Sequence, residues 1–132
     1  MIKLIEINGE RYPFLFDMEV VWFLTSTGRI EIIYDKEPAE DGEKKVAGLR
    51  GEYNDMMELF LTANRSAIEY EGKGKSLTLI EIKNGIRKDP KLFIDLQKEL
   101  NESEVFEVFE KLKEVEEDPE KKKKSPGTKS SG

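Results

Sequence analysis

At 132 residues, with 37% hydrophobic and 38% charged residues, the chain has room for one small domain with a thin core. The absence of histidine and cysteine excludes disulfides and thiolate chemistry and weakens the case for an enzyme. The net charge of −6 includes a local +3 from Asp118 onward, so residues 1–117 carry −6 − 3 = −9, which argues against nucleic acid or an anionic membrane as partner. Because no apolar run is long enough for a membrane span, we expect a cytoplasmic protein.

The first predicted element is a β-hairpin over residues 2–16. Asn8-Gly9 separates two runs rich in Ile, Leu, Tyr and Phe, and both residues tolerate the positive φ that a type I′ turn requires. A two-residue loop pairs Ile7 with Glu10 and places five apolar side chains on one face, which must pack against the rest of the chain. These are Ile5, Ile7, Tyr12, Phe14 and Phe16.

A first helix is predicted from about Met18 to Thr27, with Asp17 placed to cap its start and Gly28 to end it. Its apolar positions recur at helical spacing, at Met18, Val21, Trp22 and Leu24. The following stretch, RIEIIY, alternates like a strand but also fits a helical turn, so both interpretations stay open. We expect an acidic loop after it.

The longest helix is predicted from about Glu43 to Tyr70, because apolar residues recur there at positions i, i+3 and i+4. The residues at this spacing are Tyr53, Met56, Met57, Phe60, Leu61, Asn64, Ala67 and Ile68. The segment EGKGKS, with its two glycines, interrupts the helical pattern.

Three further helices are predicted over about 78–87, 90–100 and 103–116. Thr78 and Glu81 form a capping box at the start of the first, and Asp89 before Pro90 is a start signal for the second. In the third, Phe106 begins a run of apolar residues at three-residue steps.

Together these elements predict an α+β fold that is mostly α, in which the N-terminal β-hairpin packs on a small bundle of four to five helices. Residues 1–117 would form a single compact domain. Residues 118–132 contain no hydrophobic side chain, so we expect a disordered tail there.

No residue pattern indicates catalysis, a cofactor or a metal. The 28 Asp and Glu residues fall at positions typical of solvated helix faces, where nothing separates the pKa of one carboxyl from that of its neighbour. The segment EGKGKS lacks the spacing of a phosphate-binding loop and follows a helix rather than a strand. We therefore expect a protein that is not an enzyme, and a pocket enclosing two carboxylates of raised pKa would be the finding that revives catalysis.

The longest helix carries a wide apolar arc, in which adjacent methionines suggest an adaptable binding surface. We hypothesise that six residues contact a partner: Trp22, Tyr53, Met56, Met57, Phe60 and Leu61. Ordinary core packing of this helix against the hairpin is the alternative explanation.

Over about residues 2–116 the order of elements resembles the tail assembly chaperones of long-tailed bacteriophages and prophages. The resemblance is carried by the hairpin IEINGERYPFLF, by the long helix starting at YNDMMELF, and by the segment LTLIEI from Leu77 to Ile82. The strand-like segment from Arg29 to Tyr34 departs from the family's commoner pattern.

The resemblance implies a non-catalytic chaperone that binds the tape-measure protein, the tail-tube protein or both during tail assembly. The lysine run from Lys121 to Lys124 would then mark a site of ribosomal slippage, a hypothesis about its codons. The alternative is a small cytoplasmic adaptor, unrelated to phage, that uses the same apolar helix to form a homo-oligomer.

Overall fold

The structure, a computed structural model, describes residues 1–34 and 46–117. Within these ranges the elements are β1 (Lys3–Ile7), β2 (Glu10–Phe14), α1 (Met18–Thr27), β3 (Ile30–Tyr34), β4 (Val46–Gly51), α2 (Tyr53–Glu71), α3 (Leu79–Lys88), α4 (Lys91–Asn101) and α5 (Val105–Glu117). The fold is α+β and mostly α, as predicted. No helix in the described ranges is long and apolar enough to cross a bilayer. The predicted acidic loop, the tail over 118–132 and its lysine run lie outside the described residues.

The N-terminal hairpin has the predicted register, with Ile7 opposite Glu10. Asn8 and Gly9 adopt φ values of 54° and 82°, which are the positive angles that a type I′ turn needs. The alternation of an antiparallel pair then places Pro13, opposite Leu4, where the strands exchange no hydrogen bonds, so its missing N–H costs nothing to the ladder.

The outer edge of β2 is joined to α2. The N–H of Leu15, just beyond β2, donates to the carbonyl oxygen of Ala63 over 3.0 Å. The side-chain Nδ2 of Asn64 donates to the carbonyl oxygen of Pro13 over 2.9 Å. Both bonds satisfy backbone groups that an edge strand would otherwise expose.

Helix α1 begins and ends as predicted, and both ends are fixed to α2. The Asp17 carboxylate accepts from the N–H of Glu19 over 3.2 Å and from the Ser66 hydroxyl over 2.8 Å. Beyond the helix end, Arg29 pairs with Asp55 over 2.9 Å. Because Ser66 is late in α2 and Asp55 is early, the two helices run antiparallel.

The start of the longest helix was predicted wrongly. It begins at Tyr53, and Val46–Gly51 instead forms β4, which pairs antiparallel with Ile30–Tyr34. This pairing also decides the ambiguous segment in favour of a strand. An added Cβ at Gly51 would lie 2.9 Å from Cγ1 of Ile30, so the two strands approach more closely there than a larger residue allows.

The last three helices follow their predicted start signals to within two residues. Thr78 and Glu81 form the complete capping box of α3. Asp89 accepts from the N–H of Lys91 over 3.2 Å at the start of α4. The Ser103 hydroxyl accepts from the N–H of the first residue of α5 over 3.3 Å.

Candidate partner-binding surface

Four of the six residues predicted to contact a partner lie in the hydrophobic core, and for them the prediction of an exposed surface is corrected. They are Met56, Met57, Phe60 and Leu61. The ring of Phe60 meets Phe16 and Phe93 edge-on, at centroid distances of 6.5 and 6.0 Å. An apolar partner therefore cannot reach these side chains while the fold is intact.

The position of α2 explains why its apolar arc is so wide. Asp55 and Ser66, which bond the α1 segment, share one side of α2. Tyr53 and Asn64 contact α3 and the segment before it. At about 100° per residue, these two residues lie roughly 160° around the helix axis from Asp55 and Ser66. Strand β2 packs on α2 as well. Helix α2 is therefore central, and its adjacent methionines fill the core rather than a binding surface.

Trp22 and Tyr53, the other two predicted residues, remain exposed at 66% and 46%. They do not form one surface, because they belong to helices on different sides of the bundle. The Tyr53 ring lies beneath the ammonium group of Lys83, 5.6 Å from nitrogen to ring centroid, an arrangement typical of a cation–π contact. Trp22 instead points outward from α1.

The outward side of α1 is unusually poor in charge. Met18, Trp22 and Ser26 follow one another at four-residue spacing, opposite a buried side formed by Val20, Val21 and Leu24. We define the Trp22 face as the exposed residues Met18, Glu19, Trp22, Thr25 and Ser26. Glu19 is the one charged residue among the ten of α1, whereas 38% of the whole chain is charged. A solvated helix face normally carries more charge, so this one has the composition of an interface.

Sequence reasoning placed Trp22 among the partner-binding residues, whereas Met18 was named only as an apolar position of the first helix. In the structure Met18 is 48% exposed and lies one turn before Trp22. The signal that could have identified this face is the scarcity of charge in MEVVWFLTST. A ten-residue helix with three buried side chains has room for more charged residues than the single one found here.

The titratable groups with clearly shifted pKa values have structural explanations. The backbone N–H and hydroxyl of Thr78 lower the pKa of Glu81 within the capping box. Burial raises the pKa of Tyr12, with the nearby Glu81 charge acting in the same direction. A hydrogen bond to Glu10 raises the pKa of Lys75. Over the described residues, no three acidic side chains are grouped closely enough to hold a metal ion.

The start of α3, which follows the segment EGKGKS, is not arranged to bind a phosphate. The Thr78 hydroxyl accepts from the N–H of Glu81 over 3.2 Å, while the Glu81 carboxylate accepts from the N–H of Thr78 over 2.9 Å. The helix terminus is thus capped by its own side chains, and the carboxylate at this end would repel an anion.

Comparison of the chain with known protein families, with curated proteins and with solved structures gave no match. What it can bind must therefore be inferred from the surface that it presents.

Proposed function

We propose that this protein is a non-catalytic protein-binding factor that docks an apolar helix of its partner on the Trp22 face. The observation that carries the proposal is a largely exposed tryptophan at the centre of a nearly uncharged helix face. Tryptophan is the residue most enriched at interface hot spots, because burying its large ring on binding releases much apolar surface from water.

The way α1 is held supports a binding role. Its start is bonded to Ser66 through Asp17, and its end is tied to Asp55 through Arg29. The Trp22 face is thus presented on a helix whose position is already fixed, which lowers the entropy lost when a partner binds.

The resemblance to phage tail assembly chaperones suggests the tape-measure protein as the partner, with the tail-tube protein as a second one. Tape-measure chains are long, helical and apolar, so they need help to stay soluble before assembly. The acidic body of this protein would provide that solubility, while Met18 and Trp22 would pack between side chains of the bound helix.

Co-expression with a phage tape-measure protein tests the proposal. Tagged wild-type protein should co-purify with the tape-measure protein, and Trp22→Glu and Met18→Glu should abolish that capture. Ile94→Glu is the matched control, since it makes the same change at an exposed apolar residue of α4. Equal capture by all variants, with folding verified by circular dichroism, would overturn the role of the Trp22 face.

A small self-associating adaptor is the second candidate, because the same exposed face could bury itself against a second copy. Light scattering separates the two functions. A dimer that Trp22→Glu converts to a monomer, in a protein that captures no tape-measure protein, would favour the adaptor.

A further inference from the structure

A groove of about 400 Å³ crosses the outer face of the hairpin, the face turned away from the core. We call it the hairpin groove, and it is lined by Ile2, Leu4, Arg11, Pro13, Glu71, Lys73, Gly74 and Lys75. One wall is the hairpin itself, and the other is the loop between α2 and α3. The groove does not include the Trp22 face.

The loop wall of the hairpin groove is fixed in place. An added Cβ at Gly74 would lie 3.0 Å from Cγ of Pro13 and 3.3 Å from Cγ1 of Ile68, so the loop backbone packs tightly on the hairpin. The carbonyl oxygen of Lys75 accepts from Nδ2 of the buried Asn64 over 3.1 Å. The groove is therefore formed before any ligand arrives.

The charge of the groove is opposite to that of the protein. Its lining contains three cations and a single acid, Glu71, although residues 1–117 carry a net −9. Lys75 has an acidic partner in Glu10, over 3.2 Å. Arg11 and Lys73 form no ion pair with another described residue. Two cationic side chains are thus left to pair with a ligand.

The floor of the groove is apolar. Leu4 is 61% exposed, and the buried Pro13 lies opposite it in the hairpin register. A free inorganic anion would gain nothing from such a floor, whereas a ligand with an apolar group between acidic groups would use both features.

From this charge complementarity we propose that the hairpin groove binds an extended acidic peptide segment of a partner protein. An aliphatic side chain of the peptide rests on Leu4 and Pro13, and its flanking carboxylates pair with Arg11 and Lys73. The volume accommodates a few peptide side chains, and the preformed walls spare the entropy of ordering a loop.

Fluorescence anisotropy with a fluorescein-labelled peptide of alternating glutamate and leucine tests this site on the full chain. We expect saturable binding that weakens as salt is raised, because exposed charge pairs are screened. The double variant Arg11→Glu/Lys73→Glu should weaken binding by roughly tenfold, because it replaces two attractive charge contacts with two repulsive ones. Leu4→Asp should also weaken peptide binding, because it places a charge on the apolar floor where an aliphatic side chain of the peptide rests.

Lys91→Glu is the matched control, because it reverses an exposed lysine at the start of α4, away from the groove. It should leave peptide binding unchanged. The proposal is overturned if wild-type protein shows no saturable binding, if a lysine and leucine peptide binds equally well, or if the groove variants bind like the control. Displacement of the peptide by inorganic phosphate alone would also overturn it, because the ligand class would then be a phosphate.

Discussion

The side-chain oxygen of Asn64 accepts a hydrogen bond from the backbone N–H of Leu77 over 2.9 Å, and this bond ties the central helix to the segment before α3. The amide nitrogen of the same side chain donates to the carbonyl oxygens of Pro13 and Lys75. One fully buried amide therefore holds the hairpin, α2 and the following loop together, through buried bonds to Pro13 and Leu77 and a partly buried bond to Lys75.

Replacing Asn64 with aspartate should strongly destabilise the fold. The shape is almost unchanged, but the variant loses both donors and places a carboxylate against the carbonyls of Pro13 and Lys75. We expect the free energy of unfolding to fall by about 3 kcal/mol, measured by urea denaturation at neutral pH. Asn84→Asp is the control, because Asn84 only accepts, from Arg87, and an aspartate keeps that bond. Similar small effects at the two positions would contradict this role.

Gly85→Ala should destabilise α3 even though alanine favours helices. The new Cβ would lie 2.6 Å from Cγ2 of Ile7 and 3.0 Å from Cδ2 of Leu92. The gain in helix propensity is about 1 kcal/mol, while overpacking a core costs about 1–3 kcal/mol, so we expect a net loss. Thermal and urea unfolding measure the difference.

A double-mutant cycle checks the cause of that loss. Ile7→Ala removes the clashing methyl group, so the double variant should be more stable than the sum of the single effects predicts. Additive effects, or a Gly85→Ala protein more stable than the wild type, would show that the helix and hairpin can separate at little cost.

Truncation to alanine should lower the free energy of unfolding much more at Met57 than at Trp22. Met57→Ala leaves a cavity in the core and should lower the free energy of unfolding by about 2–5 kcal/mol. Trp22→Ala removes a mostly exposed ring and should change it by no more than about 0.5 kcal/mol. Urea unfolding followed by circular dichroism compares them. A large loss at Trp22 would mean that its ring packs on the fold instead of being available to a partner.

The capping box of α3 should make stability depend on acidic pH. Thr78 lowers the pKa of Glu81 below the ordinary 4.5, so the charged carboxylate stabilises the folded state above that pH. This contribution is lost as the pH falls through the lowered pKa and Glu81 becomes protonated. The difference in unfolding free energy between neutral pH and about pH 3 should therefore be smaller for Glu81→Gln than for the wild type. Identical pH profiles would rule the contribution out.

The features that follow from local rules were predictable from the sequence. The Asn8-Gly9 turn determines the hairpin register, and Asp17 and Thr78 mark helix starts, because each of these signals acts on backbone groups within a few residues. Strand β4 was not predictable in this way. Its six residues, VAGLRG, become a strand through pairing with β3, the preceding element of the chain, and the periodicity of β4 alone does not report that contact.

The candidate site was predictable only in part, for a related reason. A wide apolar arc looks the same in sequence whether it faces a partner or lies at the centre of a bundle. The fates of Met57 and Trp22 differ because α2 is surrounded by neighbours and α1 is covered on one side. Only the positions of the other helices distinguish these cases.

Two bonds join the outer edge of β2 to α2, from the N–H of Leu15 to Ala63 and from Asn64 to the carbonyl oxygen of Pro13, and they also limit how this hairpin could associate with other strands. Over the described residues, no other element bonds to the outward backbone groups of β1. If two copies joined through β1, each would present its helix-covered side to the outside. The joined hairpins would then form a four-stranded sheet whose two outer edges each carry the bonds to α2, which opposes the addition of further strands.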